Sequence, residues 1–262
     1  MNTANLLRRI AKGAGIAFIA GTMGGAALLA AEAVAARSRR YAKPDLSLAG
    51  RANVGDGKGR PVRLVLLGDA LALGVGVESV DETVGGQLTK MLADAGASVH
   101  LSTVAVAGAR CADLATQVAR AQLGPRPDIA VILAGTKDAT HLVRPGEAGA
   151  SLATAIRRLR DAGTAVVVGT CPDLGAVRAV APPLRQLIGW YGRRVARAQA
   201  SAALAAGAAV VDLAAQTGAV FRADPGMFCH DGFHPSADGY RVIAYALYPE
   251  LVAAARLPSV QD

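Results

Sequence analysis

Few residues in this sequence are of a type and spacing that could do chemistry together. In Asp231-Gly232-Phe233-His234 an acidic side chain stands three residues before a histidine, within a tight, glycine-containing turn. Such an aspartate can accept the Nδ1 hydrogen of the imidazole and leave Nε2 facing a nucleophile, a logic that recurs on unrelated folds. Taken alone, the same pattern describes a turn-stabilising aspartate and a surface histidine. Three further stretches give it weight: Gly68-Asp69-Ala70 after an apolar run, Gly108 after a second, and Gly135-Thr136-Lys137-Asp138 after a third. At the tip of the first turn, where nucleophilic chemistry calls for a hydroxyl, stands Ala70, whose methyl group has no lone pair.

These stretches share a position relative to the elements that must carry them. Val62–Leu67, Val99–Val106, Ile129–Leu133, Ala165–Gly169 and Ala208–Leu213 are short, apolar and rich in β-branched residues, the pattern of strands buried on both faces. Helical patterns alternate with them. Leu152, Ile156 and Leu159 recur on one face with Arg157, Arg158 and Arg160 turned away, and Ala162-Gly163 ends that helix. Pro182-Pro183 opens a longer helix to about Gly207, and Ser236 caps one running to about Ala255. The alternation predicts a three-layer α/β/α, flavodoxin-like fold with a five-stranded parallel sheet. In such sheets ligands bind beyond the carboxyl ends of the strands, where all four stretches fall.

In order and spacing, Gly68-Asp69-Ala70, Gly108, Gly135-Thr136-Lys137-Asp138 and Asp231-x-x-His234 resemble the four motifs of the SGNH hydrolases, or GDSL esterases and lipases, over residues 62–255. The resemblance implies ester hydrolysis, with His234 as general base, Asp231 as its orienting partner and Gly108 as a backbone donor to the oxyanion. It also exposes two departures. The family's nucleophilic serine is replaced by Ala70, and the asparagine that donates to the oxyanion by Lys137, whose longer stem carries its ammonium elsewhere. Nearby Asp69, Asp138 and Asp231 are candidates to capture it, and a Lys137–Asp231 pair would further spoil the dyad. Loss of a nucleophile from an assembled triad costs on the order of 10⁶-fold in turnover, and loss of one oxyanion donor on the order of 10²- to 10³-fold. The expectation is an esterase-type domain that is catalytically dead or severely impaired, retaining binding of an acyl-ester small molecule, lipid or glycan. The alternative is an active ester hydrolase or acyltransferase using a non-standard route, such as water activated by the dyad, or an inactivated variant of such an enzyme.

Composition bounds the remaining readings. Residues 1–61 hold ten Lys/Arg against three Asp/Glu, and residues 62–262 hold eighteen against seventeen, so the formal charge of +8 belongs to the N-terminal tail and a nucleic-acid partner loses its support. Gly13–Ala31 is uncharged for nineteen residues, about 28 Å of helix, nearly a bilayer's hydrocarbon core. Residues 1–36 thus read as a membrane anchor or signal segment, residues 37–61 as a basic flexible linker, and residues 62–262 as the domain, membrane-attached or exported and extracytoplasmic. Cys111, Cys171 and Cys229 are too few for a disulfide scaffold and read as buried thiols, although one pair could bridge in an exported domain. His230 and His234 share helical spacing, but Gly232 and Pro235 oppose a helix there, and neither a metal nor a cofactor is implied. His100 and His141 have no partner visible in sequence. Trp190 and Tyr191 read as packing, and Arg193, Arg194 and Arg197 as a solvated face. Oligomeric state leaves no mark in the sequence.

Overall fold

The computed structural model describes residues 25–48, 51–54 and 59–255. A six-stranded sheet runs in the order β1-β3-β2-β4-β5-β6, from β1 (Arg51–Val54), β2 (Arg60–Gly68), β3 (Ala97–Thr103), β4 (Ile129–Leu133), β5 (Ala165–Gly169) and β6 (Ala209–Val211). All neighbours are parallel except β1, which pairs antiparallel with β3 at the edge. The strand count is therefore six rather than five, and the extra strand comes from the stretch that composition marks as linker. Four residues, R-A-N-V, carry no hydrophobic alternation; the open edge of β3 recruits them through backbone hydrogen bonds, which any sequence can supply.

Every side chain of β4 is buried, as its unbroken apolar run demands. Helices cover both faces: α3 (Val84–Asp94), α4 (Leu114–Ala121), α6 (Pro145–Asp161), α7 (Leu184–Ala205), α8 (Leu213–Ala223) and α9 (Ala237–Ala255), with the short α2 (Ala70–Leu73) and α5 (Thr136–Thr140) leaving the ends of β2 and β4. Ser236 caps α9 as expected, its Oγ accepting the Gly239 N–H at 3.2 Å. Regular pairing in β3 stops at Thr103, three residues before the apolar pattern does. Beyond it only alternate residues still bond to β2, Val104 N–H to the Leu66 carbonyl at 3.0 Å and Val106 N–H to Gly68 at 3.1 Å.

Gly68, Leu133, Gly169 and Val211 are register partners across β2, β4, β5 and β6, so these strands end at one level and release their loops on one side. Residues 25–38 form a further helix, α1, which lies against the domain: Glu32 Oε2 accepts the Leu184 N–H at 2.8 Å. Most of the candidate span Gly13–Ala31 lies outside the described residues, and no helix among those described is long and apolar enough to cross a membrane.

Candidate active site

Beyond the strand ends lies a cavity of about 440 Å³ lined by Asp69, Ala70, Gly108, Lys137 and His234 among others. Four separated motifs thus meet in one place, on a scale ordinary for a small-molecule site. Asp231 lies just behind His234, its Oδ2 at 2.7 Å from the imidazole Nδ1. Oδ1 accepts the N–H groups of Phe233 at 2.8 Å and His234 at 2.9 Å, an arrangement local to the turn. The second bond to Oδ2 is long-range: the Ala42 N–H donates at 2.9 Å. Burial works to raise the Asp231 pKa, but these bonds, from the His234 ring first and then the backbone donors, outweigh it and hold the carboxyl well below the usual carboxylate range. Tyr41, one residue before Ala42, stands edge-on to Phe233 and His234 at centroid distances of 5.5 and 6.4 Å. Its hydroxyl donates to the Ala36 carbonyl.

The other side of the cavity is built around Gly68. Its φ is +135°, and a Cβ there would sit 1.7 Å from the Leu133 carbonyl oxygen, so only glycine lets β2 turn against β4 at this point. Gln117 clamps the same residue, its Oε1 accepting the Gly68 N–H at 2.7 Å and its Nε2 donating to the Gly68 carbonyl at 2.9 Å. Asp69 then caps α2, Oδ1 accepting the Leu71 N–H at 3.0 Å. Its Oδ2 is buried with no hydrogen-bond partner among the described residues. Burial, with the Asp138 charge adding to it, pushes the Asp69 carboxyl up to about 6, against the lowering pull of the Leu71 N–H, His234 and Thr136.

Ala70 opens α2 and shares the cavity with His234. Lys137 also lines the cavity, and among the described residues it makes no ion pair; the anticipated Lys137–Asp231 contact does not form. Asp138 instead turns inward and accepts the Cys111 N–H at 3.0 Å. All three cysteines are free thiols. Burial pushes Cys111 and Cys171 well above the ordinary thiol range, and Cys229 to about 11, so none is poised as a thiolate nucleophile. Gln199 braces the floor, bonding the Ala134 carbonyl at 2.9 Å and the Cys171 N–H at 2.8 Å. His141 lines the cavity, whereas His100 pairs with Asn53 at 2.7 Å, far along the sheet edge. Trp190 is half-exposed beneath the Arg194 guanidinium, and Arg193 reaches the buried Asp173 at 3.9 Å rather than standing fully solvated. Among the described residues, no three His, Cys, Asp or Glu side chains converge as metal ligands do.

Sequence reasoning missed the Gln117 clamp, the Gln199 brace and the Ala42 contact. Nothing in a lone glutamine or a backbone N–H announces a partner dozens of residues away.

The sequence profile of the GDSL-like lipase/acylhydrolase family matches residues 66–242, from the last turn of β2 into α9. The chain belongs to this family. Across 190 residues it is 43% identical to a GDSL-like esterase of Mycobacterium tuberculosis, an alignment covering 71% of this chain and 60% of that protein, so the chain spans less than two thirds of that relative. In fold the GDSL-like domain is similar to a lipase/acylhydrolase from Enterococcus faecalis, at a TM-score of 0.60 and 20% identity over 77% of this chain and all of the other. The crystal structure of TesA matches at 0.58 and 21% identity, covering 73% of this chain and 99% of that one. The three-layer fold expected from the sequence is thus shown, and the esterase-type domain with it. Ala42, Tyr41 and α1 lie outside the matched segment yet touch the dyad or the cavity.

Proposed function

We propose that this domain holds an acyl ester of a lipid or glycan in its cavity and hydrolyses it poorly or not at all. The observation that carries the reading is a hydrogen-bonded His234–Asp231 pair sharing a cavity with Ala70 and Lys137, where the family resemblance expects serine and asparagine. A general base with no nucleophile to deprotonate cannot build an acyl-enzyme. The other hydroxyls lining the cavity have tasks of their own: Thr140 donates to the Thr136 carbonyl, Thr217 to Leu213 and Tyr41 to Ala36. Thr136 sits by Asp69, and the His234 ring bonds to Asp231. Apolar side chains in the walls, including Leu71, Val177, Ile188 and Phe221, support an acyl group as occupant.

The test is turnover of short-chain nitrophenyl esters by the chain as it stands and after Ala70→Ser, Lys137→Asn and both. Background rates for the first and a large gain for the double variant are expected. Ordinary esterase rates in the unaltered chain, or its labelling by a fluorophosphonate, would sink the proposal by revealing another nucleophile. Membrane attachment or export through residues 1–36 rests on the uncharged Gly13–Ala31 stretch and its basic flanks. A reporter fused after residue 36 should leave the soluble cytoplasmic fraction; its retention there overturns that part.

A further inference from the structure

We propose that the cavity selects an anionic amphiphile, a fatty carboxylate, over the neutral ester of the same chain. The inference rests on the reading of the site as an acyl pocket with impaired hydrolysis and deepens it by naming the head group.

The argument is one of unbalanced charge beside an apolar space. Lys137, Arg37 and His141 all line the cavity, Lys137 from the strand-end motif and Arg37 from α1. Among the described residues neither the Lys137 nor the Arg37 side chain has an ion-pair or hydrogen-bond partner, and the carboxylates in and behind the cavity wall are committed. Asp173 is held by Arg222 and Arg193. Asp231 takes four donors. Asp138 is buried on the Cys111 N–H. Asp69 is turned into the base of α2, its Oδ1 on the Leu71 N–H, and it forms no ion pair with either cation among the described residues. Both cations also bear on His141: after burial itself, Lys137, Arg110 and Arg37 hold its pKa below the ordinary value.

Lys137 and Arg37 thus line the cavity without a counter-ion among the described residues. An ester presents only a weakly accepting carbonyl there. A carboxylate presents a full charge and two oxygens to an ammonium with three donors, in surroundings that screen less than water. The asparagine that the resemblance expects at Lys137 would carry no such charge, so the same substitution that weakens an oxyanion site creates an acid site.

Calorimetric titration of the full chain with decanoate, methyl decanoate, 1-decanol and decyl phosphate tests this. Decanoate is expected to bind at least about tenfold more tightly than the methyl ester or the alcohol, the scale of one charge-assisted hydrogen bond. Lys137→Gln should bring decanoate down to the affinity of methyl decanoate, with folding verified by an unchanged thermal melt, and Lys137→Arg should retain part of the preference. Equal binding of acid, ester and alcohol, or a preference that survives in the Lys137→Gln, Arg37→Gln double variant, overturns the inference. Tighter binding of decyl phosphate than of decanoate overturns the carboxylate assignment. Rapid turnover of methyl decanoate by the unaltered chain would instead overturn the impaired-hydrolysis reading, so the two failures are distinguishable.

Discussion

On one side of the cavity Asp231 gathers four hydrogen bonds and holds His234 at 2.7 Å; on the other, Asp69 keeps one buried oxygen unpartnered, Ala70 offers a methyl group, and Lys137 has no counter-ion among the described residues. The difference lies in what each half does for the fold. Two of the bonds to Asp231 close its own turn and a third ties down the segment at Ala42, so this half stabilises the domain whether or not an ester is ever cleaved. A hydroxyl at the tip of the turn is not needed to close it, and with the methyl of Ala70 there α2 still forms. A well-formed acid–histidine pair is therefore weak evidence for turnover when the atom it would activate is missing.

The sharpest way to break the contrast is to complete the poor half and then damage the good one. In an Ala70→Ser, Lys137→Asn background, Asp231→Asn should lower kcat by about 10⁴-fold, the scale of losing the group that orients a catalytic histidine. The same change in the unaltered chain should leave nitrophenyl ester turnover at background. Next in size is the turn that presents Ala70. Gly68→Ala drives a Cβ into the Leu133 carbonyl and should cost about 4 kcal/mol or more in urea unfolding. Gly108→Ala, at φ +78° with nothing within 4 Å of the new Cβ, should cost only about 1 kcal/mol of backbone strain.

The two halves should also respond oppositely to pH. The Asp69 carboxyl is raised in the folded state to about 6, so between the ordinary aspartate value and that point the native state binds the extra proton. Its contribution to stability is present at low pH and is lost as pH rises towards 6. Asp69→Asn should thus stabilise the domain above neutrality by on the order of 2 kcal/mol and flatten its melting temperature between pH 4 and 7. Asp231 is shifted downward, so its contribution is present above the ordinary aspartate value and is lost only as acid protonates it. Asp231→Asn should therefore be less destabilising in acid than at neutrality in thermal melts. The smallest effect concerns the segment before the domain. Ala42→Pro removes the N–H that bonds Asp231 Oδ2, and in the Ala70→Ser, Lys137→Asn background it should lower kcat about tenfold with KM little changed.

Legibility followed the range of the interaction. Ile129–Leu133 and Ala165–Gly169 are strands over the very residues that the apolar runs mark, because burial on both faces of a sheet leaves no room for polar side chains. Asp231 and His234 are legible for a similar reason: their contact is local, three residues apart. The edge strand Arg51–Val54 was not, since pairing at an open edge uses backbone groups common to every residue. Gln117 and Gln199 gave no sign either, because a buried amide is defined by the carbonyl and N–H it meets, here Gly68, Ala134 and Cys171.

The sequence by itself determined the layered fold, the level at which the motifs emerge, and the identity of the side chains there, methyl and ammonium included, since those follow from residue type and near-neighbour spacing. Only the tertiary structure decided that Lys137 stays clear of Asp231, that Asp69 is buried with an idle oxygen, and that the backbone of Ala42 completes the dyad across 189 residues. Charge balance and hydrogen-bond satisfaction depend on which groups come within about 3 Å of one another, and that is fixed by how the chain closes on itself.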